Sequence, residues 1–182
     1  MRVIAGSARR SVLLAPHGLN TRPTADRIKE NLFNIISPYV PGARFLDLFC
    51  GSGAIGIEAL SRGACEAVFV DTSKEAMNVT QANIVRTRLT GLTMHMCTLA
   101  ATSQLEGEGR AFDIIFLDPP YGSDMLGQTL KALDNSPLLC QDGILIAECS
   151  VNEEVPELAH LILQDTREYG NTRLMFYKRG DQ

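Results

Sequence analysis

A carboxylate, two prolines and a tyrosine follow an apolar run in the second half of the chain, where residues 112–121 read FDIIFLDPPY. The apolar run predicts a strand that is covered on both faces, as in a parallel sheet. Because proline has no backbone N–H, Pro119 and Pro120 should end the pairing at Asp118, at the carboxyl edge where open α/β sheets bind ligands. Their fixed φ angles hold Asp118 and Tyr121 in a constant relation. The segment therefore predicts a clamp for a flat, polar ligand, with a carboxylate that accepts hydrogen bonds and a ring that stacks.

A glycine-rich loop, DLFCGSGAIG, joins a predicted strand to a predicted helix in the first half of the chain. Gly51, Gly53 and Gly56 have the G-x-G-x-x-G spacing of dinucleotide-binding proteins. Asp71 ends the next predicted strand, where its carboxylate can accept hydrogen bonds from a ribose. Glycine loops also bind other nucleoside ligands, so the spacing alone leaves the ligand open.

Asp47 lies inside the strand that precedes this loop, and its charge favours one class of ligand. A carboxylate at that place would repel a pyrophosphate, but it suits a cationic amino group such as that of the methionyl end of S-adenosylmethionine. The N-terminus of the following helix can then face the carboxylate of the ligand. Asp47 therefore favours S-adenosylmethionine over NAD as the cofactor.

Three segments together resemble the class I S-adenosylmethionine-dependent methyltransferases: FLDLFCGSGAIGIEALSRGA, VFVD and FDIIFLDPPY. The last of them is similar to the (Asp/Asn/Ser)-Pro-Pro-(Tyr/Phe) signature of enzymes that methylate exocyclic or amide nitrogen. More narrowly, the N-terminal region resembles that of RsmD-type bacterial 16S ribosomal RNA (guanine-N2)-methyltransferases in the segments RVIAGSARRSVLLAP and TRPTADRIKENLFNII. The resemblance covers nearly the whole chain and implies methyl transfer from S-adenosylmethionine to N2 of a guanine in 16S ribosomal RNA, with the small ribosomal subunit as partner.

The resemblance also implies roles for individual residues. Those expected to hold the cofactor are Asp47, Phe49, Gly51, Ser52, Gly53 and Asp71. Those expected to hold the target base are Asp118, Pro119, Pro120 and Tyr121. Relatives commonly place a polar side chain near the adenine amino group, whereas this chain has CTLAATSQL, so we expect adenine contacts from the backbone around Leu99 and Ala100. The pair Arg9-Arg10 also departs from the more usual Arg-Gly.

Basic residues concentrate in residues 1–30, although the whole chain has a net charge of −4. Six basic and two acidic residues give this segment a charge of +4, so residues 31–182 carry −8. A basic segment on an acidic body predicts a local contact with a polyanion, here RNA. The candidate RNA-binding residues are Arg9, Arg10, Arg22 and Arg27. The alternative is an ordinary solvated segment.

The elements that must position these residues alternate between strands and helices from residue 43 onward. We predict strands over residues 43–49, 67–71, 92–97, 112–118 and 143–149, two more β runs near the C-terminus, and helices over 54–62, 73–87 and 124–135. The alternation is typical of an α/β fold with a doubly wound, mainly parallel, seven-stranded sheet (Rossmann-like), closed by an antiparallel hairpin.

Ahead of the sheet, residues 2–16 predict a β-hairpin and residues 24–37 a helix with one apolar stripe. We therefore divide the chain into a basic, RNA-contacting extension over residues 1–40 and an S-adenosylmethionine-binding catalytic domain over residues 41–182.

Composition limits the setting in which the protein works. The five cysteines are scattered without a CxxC pair, which favours free thiols in the cytoplasm and argues against a zinc site. No apolar stretch approaches the roughly 20 residues that span a bilayer. The three histidines show no ligand spacing. We expect a cytoplasmic monomer that uses no metal.

Three other functions remain open from the residues. The first is N-methylation of adenine-N6 in DNA or of a protein glutamine, against which the short chain argues because it leaves no separate target-recognition domain. The second is an NAD-dependent dehydrogenase, which Asp47 disfavours. The third is a nonenzymatic RNA-binding module. Two further residues near the predicted site have minor expected roles: Glu148 as a weaker candidate, and Cys50 as an unreactive part of the loop.

Overall fold

The computed structural model describes residues 1–16 and 23–180, which form seven strands and five α-helices. The strands are β1 (Arg44–Leu48), β2 (Glu66–Asp71), β3 (Leu92–His95), β4 (Phe112–Leu117), β5 (Leu139–Ser150), β6 (Leu161–Tyr169) and β7 (Thr172–Arg179). The helices are α1 (Pro23–Ile36), α2 (Ala54–Ser61), α3 (Lys74–Thr87), α4 (Thr98–Gly107) and α5 (Met125–Asp134), with a 3-10 turn at Ser37–Tyr39 after α1. None of the helices in these ranges is long and apolar enough to cross a membrane.

All seven strands belong to one sheet in the order β3-β2-β1-β4-β5-β7-β6. The five strands from β3 to β5 pair in parallel, and β7 joins β5 and β6 in antiparallel pairs. The predicted seven-stranded, mainly parallel sheet with a closing hairpin is therefore confirmed. Because the chain order reverses beside β1, the carboxyl ends of β1 and β4 lie where such folds bind their ligands.

Each face of the sheet is covered by its own apolar cluster. Along β1, Phe45 packs with the cluster that contains residues of the N-terminal segment, α1, α2 and α3. The intervening residues Leu46 and Leu48 pack with the cluster that contains residues of α4 and α5. This alternation along the strand fixes which face each strand-end side chain joins.

The N-terminal segment shows less regular pairing than the predicted hairpin. Residues 2–16 contain one antiparallel bridge, between Arg2 and Val12, and a turn in between. Backbone hydrogen bonds from Val3 N–H to the Ser11 carbonyl at 2.9 Å and from Leu13 N–H to the Met1 carbonyl at 3.0 Å join its two arms. Contacts with helices supplement them, because Ala8 donates its backbone N–H to Ser61 Oγ at 2.9 Å and Leu14 donates to Asn83 Oδ1 at 2.8 Å.

Two elements differ from their predicted extent. Helix α4 was not predicted, because its sequence TLAATSQLEG has no strong apolar stripe. Strand β5 begins four residues earlier than expected, and Leu139 pairs with Phe112 across a register shift in β4. Gly143 lies at this irregularity, where an added Cβ would be 3.0 Å from the backbone oxygen of Asp113, so a side chain would clash.

Candidate active site

Four carboxyl groups lie at the carboxyl ends of four adjacent strands. Asp47 of β1 pairs in register with Phe69 of β2 and with Phe116 of β4, and Phe116 pairs with Ile146 of β5. The other acids follow two residues beyond those partners and therefore join the same face as Asp47. In the order of the strands, the row is Asp71, Asp47, Asp118 and Glu148.

A cleft of about 810 Å³ opens beside three of these acids, Asp47, Asp118 and Glu148. Its walls come from the N-terminal segment, α1, the glycine loop and the turn between β6 and β7. Its lining includes Met1, Lys29, Asp47, Phe49, Gly51, Ser52, Asp118, Tyr121, Glu148 and Thr172. Of the predicted residues, the cavity brings together Asp47, Phe49, Gly51, Ser52, Asp118 and Tyr121, whereas Gly53, Asp71, Pro119 and Pro120 do not line it.

Asp47 is buried in the wall of this cleft, with only 1% of its surface exposed. Its Oδ2 accepts a hydrogen bond from the backbone N–H of Gly56 at 2.9 Å, whereas its Oδ1 is buried without a partner. Burial raises the pKa of Asp47 to about 7, an effect that the Gly56 N–H opposes and the charge of Asp71 reinforces. An unpartnered buried carboxylate oxygen is suited to a ligand that brings a cation or a hydrogen-bond donor.

The glycine loop is shaped by close packing beneath it and by open space above it. A Cβ added to Gly53 would lie 2.8 Å from Thr80 Cγ2, and one added to Gly56 would lie 2.4 Å from the ring of Phe69. A Cβ on Gly51 would meet nothing within 4 Å, so this glycine leaves room in the cleft. Phe49 enters the loop with a φ of 67°, a left-handed conformation that is uncommon for aromatic residues.

Asp71 anchors the loop, a contact that the sequence did not predict. Its Oδ2 accepts from the backbone N–H of Gly51 at 2.9 Å, and its Oδ1 accepts from Ser73 at 2.8 Å. Each carboxylate oxygen has a second lone pair, so Asp71 retains capacity for the hydroxyls of a ribose.

Leu99 and Ala100 lie in the first turn of α4, and both are exposed. Backbone N–H groups in the first turn of a helix have no partner within the helix, so those of Leu99 and Ala100 are suitable donors. Neither residue lines the cleft described above. Their assignment to the adenine ring stays a prediction.

The segment that follows β4 brings Asp118 and Tyr121 to the far end of the cleft. The Tyr121 hydroxyl lies 3.1 Å from Thr172 Oγ1 and 3.5 Å from Glu148 Oε1, and half of the tyrosine surface is exposed. Ser123 Oγ donates to the Pro120 carbonyl at 2.6 Å and closes the turn. Tyr121 therefore bridges the segment after β4 to the ends of β5 and β7.

The surroundings of Asp118 disfavour its charge. The carboxyl of Asp118 is exposed to solvent on the side of the open cleft. The protein that surrounds its other sides removes much of its hydration, which raises its pKa well above the usual range. The charges of Glu148 and Asp47 act in the same direction. Burial likewise raises the pKa of Glu148 to about 7, partly offset by the Tyr121 hydroxyl. A strongly raised carboxyl pKa in a cleft is typical of functional sites.

Glu148 has a larger part in this geometry than the sequence suggested. The apolar run of β5 hides its position, but alternation from Ile146 would have placed it on the face that carries Asp118. Cys50 is buried, and burial raises the pKa of its thiol, so it is unsuited to act as a nucleophile. The described residues contain no group of three or more His, Cys, Asp or Glu arranged to hold a metal ion.

A buried acid in α2 holds the N-terminal segment against the cleft. Glu58 is fully buried and accepts from the backbone N–H groups of Ile4 at 2.8 Å and Ala5 at 3.0 Å. It also pairs with Lys29 at 3.4 Å and Arg62 at 2.7 Å. Burial lowers the pKa of Lys29 despite this pairing. Lys29 contributes to the basic charge of residues 1–30, but it is buried and cannot form part of an exposed RNA-binding surface.

The predicted RNA-binding residues fall into two groups. Arg9, Arg10 and Arg27 are exposed, so their charges are available to a partner. Arg22 lies outside the described residues. Arg10 has a φ of 72°, in the left-handed region that favours glycine. The turn thus retains a conformation suited to the more usual Arg-Gly.

Several known proteins that are similar to this chain are described as methyltransferases. The model of the family described as conserved hypothetical protein 95 matches residues 1–178. "Putative rRNA methyltransferase YlbH" of Bacillus subtilis strain 168 is 40% identical, with 98% of this chain and 99% of that protein covered. Ribosomal RNA small subunit methyltransferase D of Escherichia coli K12 is 31% identical, with 100% and 91% covered. The solved structure "Putative methyltransferase yhhF" from Escherichia coli is similar, with a TM-score of 0.87, 29% identity, and 100% and 99% covered.

Proposed function

The chain belongs to the conserved hypothetical protein 95 family, that of the RsmD-type ribosomal RNA methyltransferases, and on this premise we propose that it methylates N2 of a guanine in 16S ribosomal RNA with S-adenosylmethionine as donor. One observation carries the proposal. A single cleft joins the unpartnered carboxylate oxygen of Asp47 to the Asp118–Tyr121 segment, so a cationic cofactor and a flat base can meet there.

The residues around β1 fit the cofactor. Asp47 Oδ1 is available to an ammonium group, Gly51 leaves open space, and Asp71 retains lone pairs for ribose hydroxyls. S-adenosylmethionine supplies an already activated methyl group on a sulfonium, so the protein has mainly to bind and to orient. A pyrophosphate would instead meet the buried carboxyl of Asp47, which counts against the dehydrogenase alternative.

The Asp118–Tyr121 segment fits the base. The exocyclic amine of guanine is a poor nucleophile, because its lone pair is delocalised into the ring. Asp118 and the carbonyl of Pro119 can accept its two hydrogens and turn the lone pair toward the methyl group. Alignment of this kind supplies effective molarities of about 10⁵ M or more. As the N2–carbon bond forms and the carbon–sulfur bond breaks, one N2 proton must leave, and Asp118 is positioned to accept it.

The base must leave its stack to reach this depth. The exposed ring of Tyr121 can receive it, and stacking on one aromatic ring contributes about 1–3 kcal/mol, which offsets part of that cost. The bond from Tyr121 to Thr172 would hold the ring at the mouth of the site. We infer from this arrangement that the ring, rather than the hydroxyl, contacts the base.

We infer that the RNA contact is local and that the substrate is the small-subunit particle. Arg9, Arg10 and Arg27 offer exposed positive charge, with Arg22 as a fourth candidate, whereas the −8 of residues 31–182 should repel a long naked RNA. A ribosomal particle can present one splayed guanine together with basic protein surface, which would suit both halves of this charge distribution.

The test measures methyl incorporation into naked 16S ribosomal RNA and into small subunits from cells that lack the enzyme, followed by mass spectrometry of the modified nucleoside. We expect N2-methylguanine and faster transfer to the particle. Faster transfer to naked RNA would remove the particle from the proposal, and methylation of adenine-N6 in DNA or of a protein glutamine would replace guanine-N2. Calorimetry with S-adenosylmethionine and NAD tests the cofactor separately.

A further inference from the structure

The base-binding end of the cleft holds a second carboxyl group, for which the proposed orientation of N2 has no use. Glu148 ends the parallel part of β5 beside Asp118, and both side chains join the face of the sheet that lines the cleft. Its Oε1 lies 3.5 Å from the Tyr121 hydroxyl. The nearby Asp47, 1% exposed and with an unpartnered oxygen, indicates independently that this cleft is built for a ligand that brings hydrogen-bond donors or positive charge.

We propose that Glu148 is the residue that selects guanine, its carboxylate accepting a hydrogen bond from N1–H while Asp118 and the Pro119 carbonyl accept the two N2 hydrogens. This inference rests on the proposed function, because it concerns the base that occupies the same site.

The chemistry of the base edges supports this assignment. Guanine presents N1–H and the N2 amine side by side, so the neighbouring carboxyls of Glu148 and Asp118 can accept from N1–H and from the amine respectively. Adenine presents an acceptor at N1 beside its amine, so a carboxylate at that place would face a lone pair. A site with a buried acceptor rejects bases that leave it unpaired, and enzymes that require such a hydrogen bond discriminate by about 10⁴–10⁵.

Neighbouring groups hold Glu148 for this task. The Tyr121 hydroxyl lies between Glu148 Oε1 and Thr172 Oγ1, at 3.5 Å and 3.1 Å respectively. On β7, Leu174 pairs with Glu148, which brings Thr172 to the same edge two residues further along. The cation in the wall, Lys29, is already engaged by Glu58, so it does not neutralise Glu148. The carboxylate therefore presents its acceptors to the base.

In the experiment, small subunits are reconstituted with either guanine or 2-aminopurine at the methylated position. S-adenosylmethionine is then supplied as the methyl donor. 2-Aminopurine keeps the N2 amine but has an acceptor at N1 and no O6. The ratio of kcat/KM for the two bases is measured for the wild type, for Glu148→Gln and for the control Glu154→Gln, which alters an exposed carboxylate beyond β5. The missing O6 affects every protein equally, so a change in the ratio reports on N1.

We expect the wild type and Glu154→Gln to prefer guanine strongly and Glu148→Gln to lose about tenfold or more of that preference, since its amide can donate to an N1 acceptor. A merely structural role would lower both rates and leave the ratio unchanged, which would overturn the inference. If Glu148→Gln methylates neither base, its equilibrium binding to the guanine-containing and the 2-aminopurine-containing small subunits is measured in the presence of S-adenosylhomocysteine. This binding must show the same loss of preference for guanine. A wild type that methylates no guanine refutes the proposed function instead.

Discussion

The carboxylate of Asp71 accepts a hydrogen bond from the backbone N–H of Gly51 at 2.9 Å, so the acid at the end of β2 fastens the loop that leaves β1. The same carboxylate accepts from Ser73 at 2.8 Å. The residue proposed to hold the ribose therefore also shapes the surface on which the rest of the cofactor would lie, and the two roles can be separated by mutation.

Asp71→Ala should weaken S-adenosylmethionine binding and also destabilise the free protein. Each lost hydrogen bond to a charged group is worth on the order of 1.5–3 kcal/mol. Asp71→Asn keeps an acceptor for Gly51 and should retain more stability than affinity. Calorimetry and thermal unfolding without cofactor measure the two effects. Unchanged affinity in Asp71→Ala, or binding of NAD without binding of S-adenosylmethionine, would contradict the assigned site.

Cofactor binding should depend on the ionisation of Asp47. Its pKa is raised to about 7, and an ammonium ligand requires the ionised form. Affinity should therefore fall as the pH drops below 7, by about tenfold for each pH unit once the carboxyl is mainly protonated. Asp47→Asn should bind more weakly at pH 8 and show a flatter pH dependence. Calorimetry in buffers of different ionisation enthalpy counts the protons released on binding.

The same raised pKa has an opposite consequence for the stability of the free protein. The folded state holds a proton on Asp47 more tightly than the unfolded state, so this contribution to stability is present at low pH and is lost as the pH rises from about 4 to about 7. Asp47→Asn should consequently be stabilised relative to the wild type at pH 8 but not at pH 4. Equal differences in melting temperature at both pH values would count against a buried ionised carboxyl.

Asp118→Ala should abolish methyl transfer and leave cofactor affinity nearly intact, because Asp118 is proposed to contact the base and not the cofactor. Single-turnover transfer to small subunits and calorimetry measure the two quantities. Asp124→Ala, which changes an exposed acid after the same segment, is the matched control and should be active. A comparable loss of cofactor affinity in Asp118→Ala would place this residue in the cofactor site.

Tyr121→Ala should impair turnover more than Tyr121→Phe, since the ring is proposed to stack on the base. The phenylalanine variant loses the hydrogen bond to Thr172 and should show only a modest effect, which Thr172→Val should reproduce. The turnover of the three variants on small subunits distinguishes a role of the ring from a role of the hydroxyl. Equal, severe losses in both Tyr121 variants would point to a chemical role of the hydroxyl.

Arg10→Gly should stabilise the protein and lower its affinity for RNA. Relief of the left-handed conformation is worth roughly 1 kcal/mol, whereas loss of a phosphate contact lowers the salt dependence of binding by about one unit of slope. Arg9→Ala removes the neighbouring positive charge without a change at the left-handed residue. Melting temperature and RNA affinity across a salt series measure these changes. An unaltered slope in the Arg9/Arg10 double variant would assign both charges to solvent.

The sequence predicted the sheet and the residues at its edge because those features depend on local patterns. The main elements could be predicted from the alternation of strand and helix patterns. Gly51, Gly53 and Pro119 mark the ends of strands and the start of a helix. Helix α4 escaped prediction because two of the four residues that it buries are threonines, Thr98 and Thr102, so no apolar stripe marks it. The N-terminal hairpin is less regular than predicted, and contacts with helices supplement its backbone pairing.

What could not be predicted depends on contacts between distant parts of the chain. The bond of Asp71 to Gly51 and the approach of Glu148 to Tyr121 join residues 20 and 27 positions apart on different elements. The burial of Lys29 against Glu58 reverses its apparent role, since a lysine in a basic segment normally predicts an exposed charge. Such contacts are set by register and packing, which the order of residue types does not reveal.

The position of Glu58 also imposes an order on folding during synthesis. Ile4 precedes its acceptor Glu58 by 54 residues, and Leu14 precedes Asn83 by 69, so this segment must wait for partners that are translated much later. Contacts of such sequence separation form slowly. We expect a nascent chain that ends before Asn83 to leave its N-terminal segment open to proteases, and the segment to become protected only when α3 has been made. The cleft, whose lining extends from Met1 to Thr172, would be complete only after β7 has begun to form, so partly translated chains would lack a finished site.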